Sequence, residues 1–534
     1  MAGAYLSWRQ FYFVLLGLRF YFALSNSYIH PDEHFQTLEV LTNRIFNYST
    51  NVPWEFSSKD PARSIGVLYL LYGPVLYAIK FLNLDFSPLQ IWYILRLQNV
   101  ILGWIITDMC IYRLLPTKPE RIKGVYFTIC SFVTLVHQSH LFSNSIETYL
   151  VILSVLIINN LRLSNETKEE DENHHWSLIW LGAIISVGTF NRVTFPAFII
   201  LPFWFVFQYL WSHKIKTFHL AIGFLLPTIS LILVDSISFG KSLKEIASAP
   251  LNINSYIITP LNNLVYNSNY SNLSQHGIHP YYTHILVNLP QILGPGILFL
   301  LKTSYWKTTP FLSMASAILV LSVIPHQELR FLMPIVPLAC CCFDLYSFSS
   351  KKEGDTKKST WGSILMNSWY IFNASFAILM GVFHQGGVIP ALDHFHAENF
   401  QSDPSHNTIQ VWWRTYSPPT WILGYKENTL QAITLNDETF AEGYTLDSSK
   451  TNYLFDLMGS DEDKILNFLT ELKATQNTST IYLVTPVASF NKVFKNESLA
   501  FNETWSYTYH LDMDHLDFSD IESLRPGLGI YELL

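Results

Sequence analysis

The chain is poor in charge. Only 14% of its 534 residues are Asp, Glu, Lys or Arg, where a soluble domain carries about a quarter. With 49% hydrophobic residues, 15% aromatics and a mean hydropathy of +0.21, that shortage excludes an ordinary soluble enzyme and a disordered chain alike. A basic stripe is also missing. There are 33 Lys+Arg against 41 Asp+Glu, so nucleic acid, which demands neutralised phosphates, is excluded as a partner. Cysteine is scarce: Cys110, Cys130, Cys340, Cys341 and Cys342 all sit in apolar segments. No disulfide framework is encoded, and these thiols read as small core residues. Internal repeats and long low-complexity stretches are absent.

What the chain has is long apolar runs. A crossing helix needs about 20 mostly apolar residues. Candidate spans fall at roughly 8–28, 90–113, 124–138, 141–161, 177–191, 195–211, 218–239, 285–301, 308–324, 331–347 and 363–383. Basic residues orient them: Arg9, Lys118/Arg121/Lys123, Lys214/Lys216, Lys302/Lys307 and Lys351/Lys352/Lys357/Lys358 belong on the cytoplasmic side. For that to hold, the run 65–82, interrupted by Gly66, Gly73 and Pro74, must not cross. The expectation is an all-α polytopic membrane protein of about eleven spans, with a cytoplasmic N-terminus and a small luminal α/β annex at the C-terminus. Residues 1–390 would form the membrane unit, with loops 30–64 and 240–284 on its outer face. Residues 391–534, with 8 Lys+Arg against 21 Asp+Glu, would form an acidic outer region. Sequons at Asn47, Asn269, Asn272, Asn477, Asn496 and Asn502 fall outside in this scheme; Asn165 and Asn373 do not.

In the annex, residues 461–473 place Ile465, Leu466, Leu469 and Leu472 on one helical stripe, and Ile481–Val484 reads as a strand. Trp412 and Trp413, followed by Pro418-Pro419, suggest an aromatic segment at the membrane interface.

The polar clusters beside apolar runs (30–36, Arg96, 139–147, 191–192, 275–284 and 326–330) all fall on the non-cytoplasmic side and read as one site, since charge near a membrane normally faces a cavity or a partner. The first begins His30-Pro31-Asp32-Glu33-His34-Phe35-Gln36. Pro31 suits a first helical turn, and Asp32 and Glu33 suit its positive end, so helix capping explains the acids as well as catalysis does. As chemistry, Asp32 would be a general base for a sugar hydroxyl, with Glu33 next. His30 and His34 have the spacing of metal ligands, but no third ligand is nearby. In Pro325-His326-Gln327-Glu328-Leu329-Arg330-Phe331, Arg330 and His326 suit a phosphate, and Arg192 raises the same option. Their alternatives are an internal Glu328–Arg330 pair and lipid snorkelling. Gln275–His284 gathers His276, His279 and His284 with Tyr281 and Tyr282, a composition suited to a sugar.

The first loop and His326–Phe331 resemble the two signatures of glycosyltransferase family 22. Ser143-Asn144-Ser145-Ile146-Glu147 and Asn191-Arg192-Val193-Thr194 resemble two further segments of that family. The resemblance runs from residue 9 to about 425 and implies an endoplasmic reticulum mannosyltransferase of the GT-C fold. The run Tyr282–Gln291 and Thr415–Thr420 are similar to the branch acting on the GPI-anchor precursor. That branch implies an inverting α-1,2 transfer of a fourth mannose from dolichyl phosphate mannose, with a lipid-linked donor, a GPI lipid acceptor and no metal or other cofactor. On this resemblance Asp32 or Glu33 is the base. Arg330, His326 and Arg192 meet the phosphate of the leaving group, and Glu328, His30, His34 and His284 complete the substrate-binding set. The alternatives are another member of the family, acting on the third GPI mannose or on the N-glycan precursor, a lipid transporter or flippase, and a noncatalytic assembly subunit. A transporter would carry charges midway along repeated broken helices, which this sequence lacks.

Overall fold

The structure is a computed structural model. It describes the chain except residues 1–6, 60, 168–173, 251, 276, 302, 346–359, 399–406, 437–438, 441–442, 477, 496–498 and 517–518. His276, Lys302, Lys351, Lys352, Lys357, Lys358 and the sequon residues Asn477 and Asn496 therefore lie outside the described residues. The chain is mainly helical, with a small sheet near its C-terminus. Four described helices are long and apolar enough to cross a membrane: Pro88–Leu114, Ser143–Thr167, Lys214–Ser238 and Trp361–Phe383. His284–Leu300 and Thr309–Val323 are shorter apolar helices.

Several expected spans are broken, and the breaks have local causes. The run 65–82, expected not to cross, divides into helices Ile65–Leu71 and Gly73–Phe81, each far short of the length a crossing needs. The helix Lys118–Cys130 stops where Ser131 turns extended, at ψ 134°. The run 195–211 splits into a 3-10 turn, Phe195–Phe198, and a helix, Phe203–Ser212, around Pro196 and Pro202, which lack the N–H a helix interior needs. The run 331–347 yields a 3-10 turn, Leu329–Leu332, and the eight-residue helix Ile335–Cys342 beyond Pro334. A count of eleven thus requires short and interrupted segments beside the four full-length helices.

The chain folds as two compact units. One comprises residues 1–20, 54–72 and 97–375, and the other residues 21–53, 73–96 and 376–534. In the first unit, helices His175–Asn191 and Thr217–Ser238 approach closely through Gly182 and Gly223. A Cβ on Gly223 would lie 2.1 Å from the Ile179 carbonyl oxygen, and one on Gly182 would lie 2.4 Å from that of Leu220. Ser186 and Thr228 hydroxyls join the same pair at 2.8 Å. Without a hydrophobic drive between helices in lipid, close backbone approach and such hydrogen bonds carry the packing. All five cysteines are buried and unbonded.

The second unit contains a six-stranded sheet, ordered β2-β3-β1-β4-β6-β5. Its strands are β1 (Thr408–Trp412), β2 (Leu430–Thr434), β3 (Asn452–Asp456), β4 (Thr480–Pro486), β5 (Phe501–Tyr507) and β6 (Leu528–Leu533). The first four run parallel, and β6 and β5 close one side antiparallel. Helix Glu462–Thr475 crosses from β3 to β4 and buries Ile465, Phe468, Leu469 and Leu472 against the sheet; Leu466 is partly buried. Trp412 and Trp413 are not interfacial. Both are fully buried, because Trp412 ends the central strand β1 and Trp413 turns its indole N–H to the Ser460 carbonyl at 2.8 Å.

Candidate active site

The acid pair of the first loop lies in the second unit. After an extended stretch, Pro31 starts a turn, Asp32 and Glu33 are helical, and His34–Leu38 form a π-turn leading into helix Glu39–Phe46. Single π-turns recur at functional positions. The two neighbouring acids have opposite environments. Glu33 is fully buried, and Arg96 grips it with Nε to Oε1 and Nη2 to Oε2, both at 2.8 Å. The Trp92 indole N–H also donates to Oε1 at 3.2 Å, and the Arg96 guanidinium stacks 3.8 Å from the Trp92 ring. Arg96 further donates to the carbonyls of Ser25 and Ser27, both at 2.9 Å. Such a fork-to-fork pair fixes the position of the carboxylate and engages both of its oxygens. The Asp32 side chain keeps 20% exposure, with one carboxylate oxygen 3.5 Å from His30 Nδ1. It sits at the start of the helical turn.

His34 is fully buried among aromatic rings. Its Nδ1 accepts the Trp421 indole N–H at 3.1 Å, and Tyr28 meets it edge-on. Tyr28 donates to the Ser417 carbonyl at 2.8 Å, so the Thr415–Thr420 segment packs on the first loop.

Glu39 was not singled out by its sequence context. It is fully buried and accepts from Thr420 Oγ1 at 3.1–3.2 Å, the Trp421 N–H at 3.3 Å and the Asn51 N–H at 3.1 Å. Burial pushes its pKa from 4.5 to about 8, against the opposing pull of these donors. The folded chain then holds a proton that the unfolded chain releases, so stability falls as pH rises from 4.5 towards about 8. Glu39→Gln should flatten that slope: thermal midpoints of the detergent-solubilised variant should vary less with pH across this window than those of the wild type.

The basic cluster lies in the first unit. Arg192 follows helix His175–Asn191, and its Nε lies 3.2 Å from Glu147 Oε2 on helix Ser143–Thr167. Its Nη1 donates to Ser143 Oγ at 3.1 Å and Asn144 Oδ1 at 3.4 Å, while Asn191 donates to the Ser143 carbonyl at 2.8 Å. The segments 143–147 and 191–194 thus meet through their polar residues. The Arg192 guanidinium lies 4.7 Å from the Phe331 ring centre, and that of Arg330 lies 5.9 Å from it. Arg330 also pairs with Glu328, whose other oxygen lies 2.7 Å from His326 Nε2. That hydrogen bond raises the His326 pKa above its ordinary value, with burial opposing.

Residues 277–288 pack on this cluster. His326 Nδ1 is 3.1 Å from the Gly277 carbonyl, the Gln327 N–H donates to His279 Nδ1 at 3.3 Å, and Gln327 Oε1 accepts the His284 N–H at 2.8 Å. Asn288 Nδ2 donates to the buried His284 Nδ1 at 3.0 Å. The unit therefore brings Arg192, His284, His326, Glu328 and Arg330 together around Phe331. Tyr281 and Tyr282 are largely exposed. The described residues hold no cluster of three or more potential metal ligands.

The chain is rich in apolar helices, with a buried Glu33–Arg96 pair in one unit and two arginines beside the Phe331 ring in the other. Residues 10–424 match the model of the Alg9-like mannosyltransferase family, and the chain belongs to that family. It is a mannosyltransferase that spans the membrane. It is 56% identical to a GPI mannosyltransferase 4 of Debaryomyces hansenii, over 99% of each chain. To the proteins of that name from Candida albicans and Saccharomyces cerevisiae it is 52% and 36% identical, over 99% and 96% of each chain.

Proposed function

We propose that this chain adds the fourth, α-1,2-linked mannose to the third mannose of the GPI-anchor precursor, taking it from dolichyl phosphate mannose. The observation that carries this reading is the full-length identity of 56% to a GPI mannosyltransferase 4, beyond the family match alone. The proposal includes a GT-C fold of about eleven crossings in the endoplasmic reticulum membrane. The N-terminus is cytoplasmic, and residues 30–64, 240–284 and 391–534 are luminal.

The chemistry follows from the donor. Its mannose is β-linked, so an α product requires inversion by single displacement. The acceptor hydroxyl must lose a proton as it attacks, and Asp32 takes it. Glu33, held by Arg96, fixes the loop that carries Asp32. The departing dolichyl phosphate gains negative charge, which Arg330, His326 and Arg192 offset. Glu328 and His284 orient these donors, while His30 and His34 shape the Asp32 loop. No metal is needed in this scheme, because the leaving group is already a stabilised anion.

The test is purified protein with labelled dolichyl phosphate mannose and a three-mannose GPI precursor. A four-mannose product supports the reading; transfer only to another mannose acceptor overturns it. Arg330→Ala should raise the KM for the donor about tenfold or more, since a charge-assisted contact contributes roughly 1.5–3 kcal/mol. The KM for the acceptor should change little. Kinetics with each lipid varied separately checks this.

A further inference from the structure

The sheet in the second unit has a feature that mannose transfer does not use. Beyond the C-terminal ends of β1 and β4 lies a cavity of about 430 Å³, within the size range of small-molecule sites. β1 and β4 are parallel neighbours. The chain leaving β1 goes to β2 at one edge, and the chain leaving β4 goes through helix Val487–Val493 to β5 at the other. Strand order therefore reverses between β1 and β4. In open α/β sheets that reversal opens the crevice where ligands bind.

Two residues of the lining carry a buried donor without a partner among the described residues. Arg414, two residues past β1, takes the left-handed conformation with φ 56°, held by its N–H to the Met458 carbonyl at 2.7 Å. A non-glycine residue rarely adopts that conformation. Its guanidinium stacks on Trp413 at 4.5 Å and reaches Glu462 at 3.3 Å, yet its buried Nε has no hydrogen-bond partner among the described residues. His510 borders the same cavity at 1% exposure. Its Nδ1 accepts the Gly387 N–H at 3.2 Å, so the neutral ring carries its proton on Nε2, and Nε2 has no partner among the described residues either. Burial lowers its pKa to about 3, so the ring stays neutral and Nε2 stays a donor at physiological pH. Lys495 and Arg525 stand exposed on the wall without a carboxylate partner among the described residues.

Of the three carboxylates on the wall, Asp512 and Asp520 accept hydrogen bonds within the chain, and Glu522 is exposed. Asp512 accepts from Gln385 Nε2 at 3.3 Å and the Asp514 N–H at 3.2 Å, and lies 2.6 Å from His515 Nδ1. Asp520 accepts the Glu522 N–H at 3.0 Å. Arg414, Lys492, Lys495 and Arg525 outnumber Asp512, Asp520 and Glu522 on the wall by one charge, and with the unpartnered N–H donors this suits an oxyanion. A bare phosphate would leave most of the volume empty, so the anion carries a polar body.

We propose that this cavity is a second ligand site of the chain, which takes a phosphate ester through Arg414, His510, Lys495 and Arg525. It stands independently of the transfer reaction.

The test uses the full chain in phosphatidylcholine nanodiscs, with calorimetric titration of glycerol 3-phosphate and of glycerol as the uncharged control. Saturable binding of the ester alone is expected. The double variant Lys495→Glu/Arg525→Glu reverses charge at two exposed positions and should retain the wild-type thermal midpoint. It should weaken ester binding about tenfold or more, the equivalent of one charged contact. Arg414→Gln should do the same. Discs containing phosphatidylinositol separate the sources: if they block the ester, the natural ligand is a lipid headgroup, and if they do not, it is a soluble ester. No saturable binding, binding of glycerol equal to that of the ester, or unchanged affinity in both variants overturns the proposal.

Discussion

Asp32→Asn should reduce mannose transfer by about 10²–10⁴-fold, the usual contribution of a positioned general base, while leaving the thermal midpoint close to that of the wild type. Asn matches Asp in shape and can still accept a hydrogen bond at the start of the helix, so the loop keeps its conformation. What it loses is the ability to take a proton from the acceptor hydroxyl. The Asp32 side chain keeps 20% exposure, so its charge meets solvent. Single-turnover rates at saturating donor and acceptor are the measurement. Near-normal turnover would remove Asp32 as the base and return the loop to its capping role.

The sequence could not separate Asp32 from Glu33, because the distinguishing partner is 63 residues further along the chain. Arg96 was visible as a polar residue beside an apolar run, but nothing in the local pattern says which acid it meets. Glu39 is a stronger case of the same limit: its partner Thr420 is 381 residues away, and an isolated Glu within an ordinary helix carries no signal of burial. Local features were legible. The long apolar helices, the helix 462–475 and the strand through Ile481–Val484 all follow from periodicity and composition. β1 was missed for a physical reason. A parallel strand buried on both faces has no alternation to reveal it, so Trp412 and Trp413 looked like a membrane-interface pair. The clusters around Arg192 and His326 were visible as polar interruptions, whereas their meeting on Phe331 is a tertiary fact.

The contrast within the acid pair yields the second large effect. Arg96→Leu should destabilise the chain by about 3–5 kcal/mol, because it leaves the Glu33 carboxylate buried without its ion partner. It also strips donors from the Ser25 and Ser27 carbonyls. The readouts are the thermal midpoint of the detergent-solubilised protein and its sensitivity to trypsin. The double variant Arg96→Leu/Glu33→Leu should recover part of the loss, since a buried pair replaced on both sides leaves no stranded charge. With the single variant Glu33→Leu completing the cycle, the coupling between the two residues is measured free of what each packs against elsewhere. An Arg96→Leu midpoint equal to that of the wild type would mean that the pair does not hold the loop. Asp32→Asn would then have to be reinterpreted, because a base acts at a defined atom only if its backbone is held, and Glu33, the next residue, is the nearest anchor. Loss of transfer with retained stability at Asp32, and loss of stability at Arg96, would instead divide the two acids into one that reacts and one that positions.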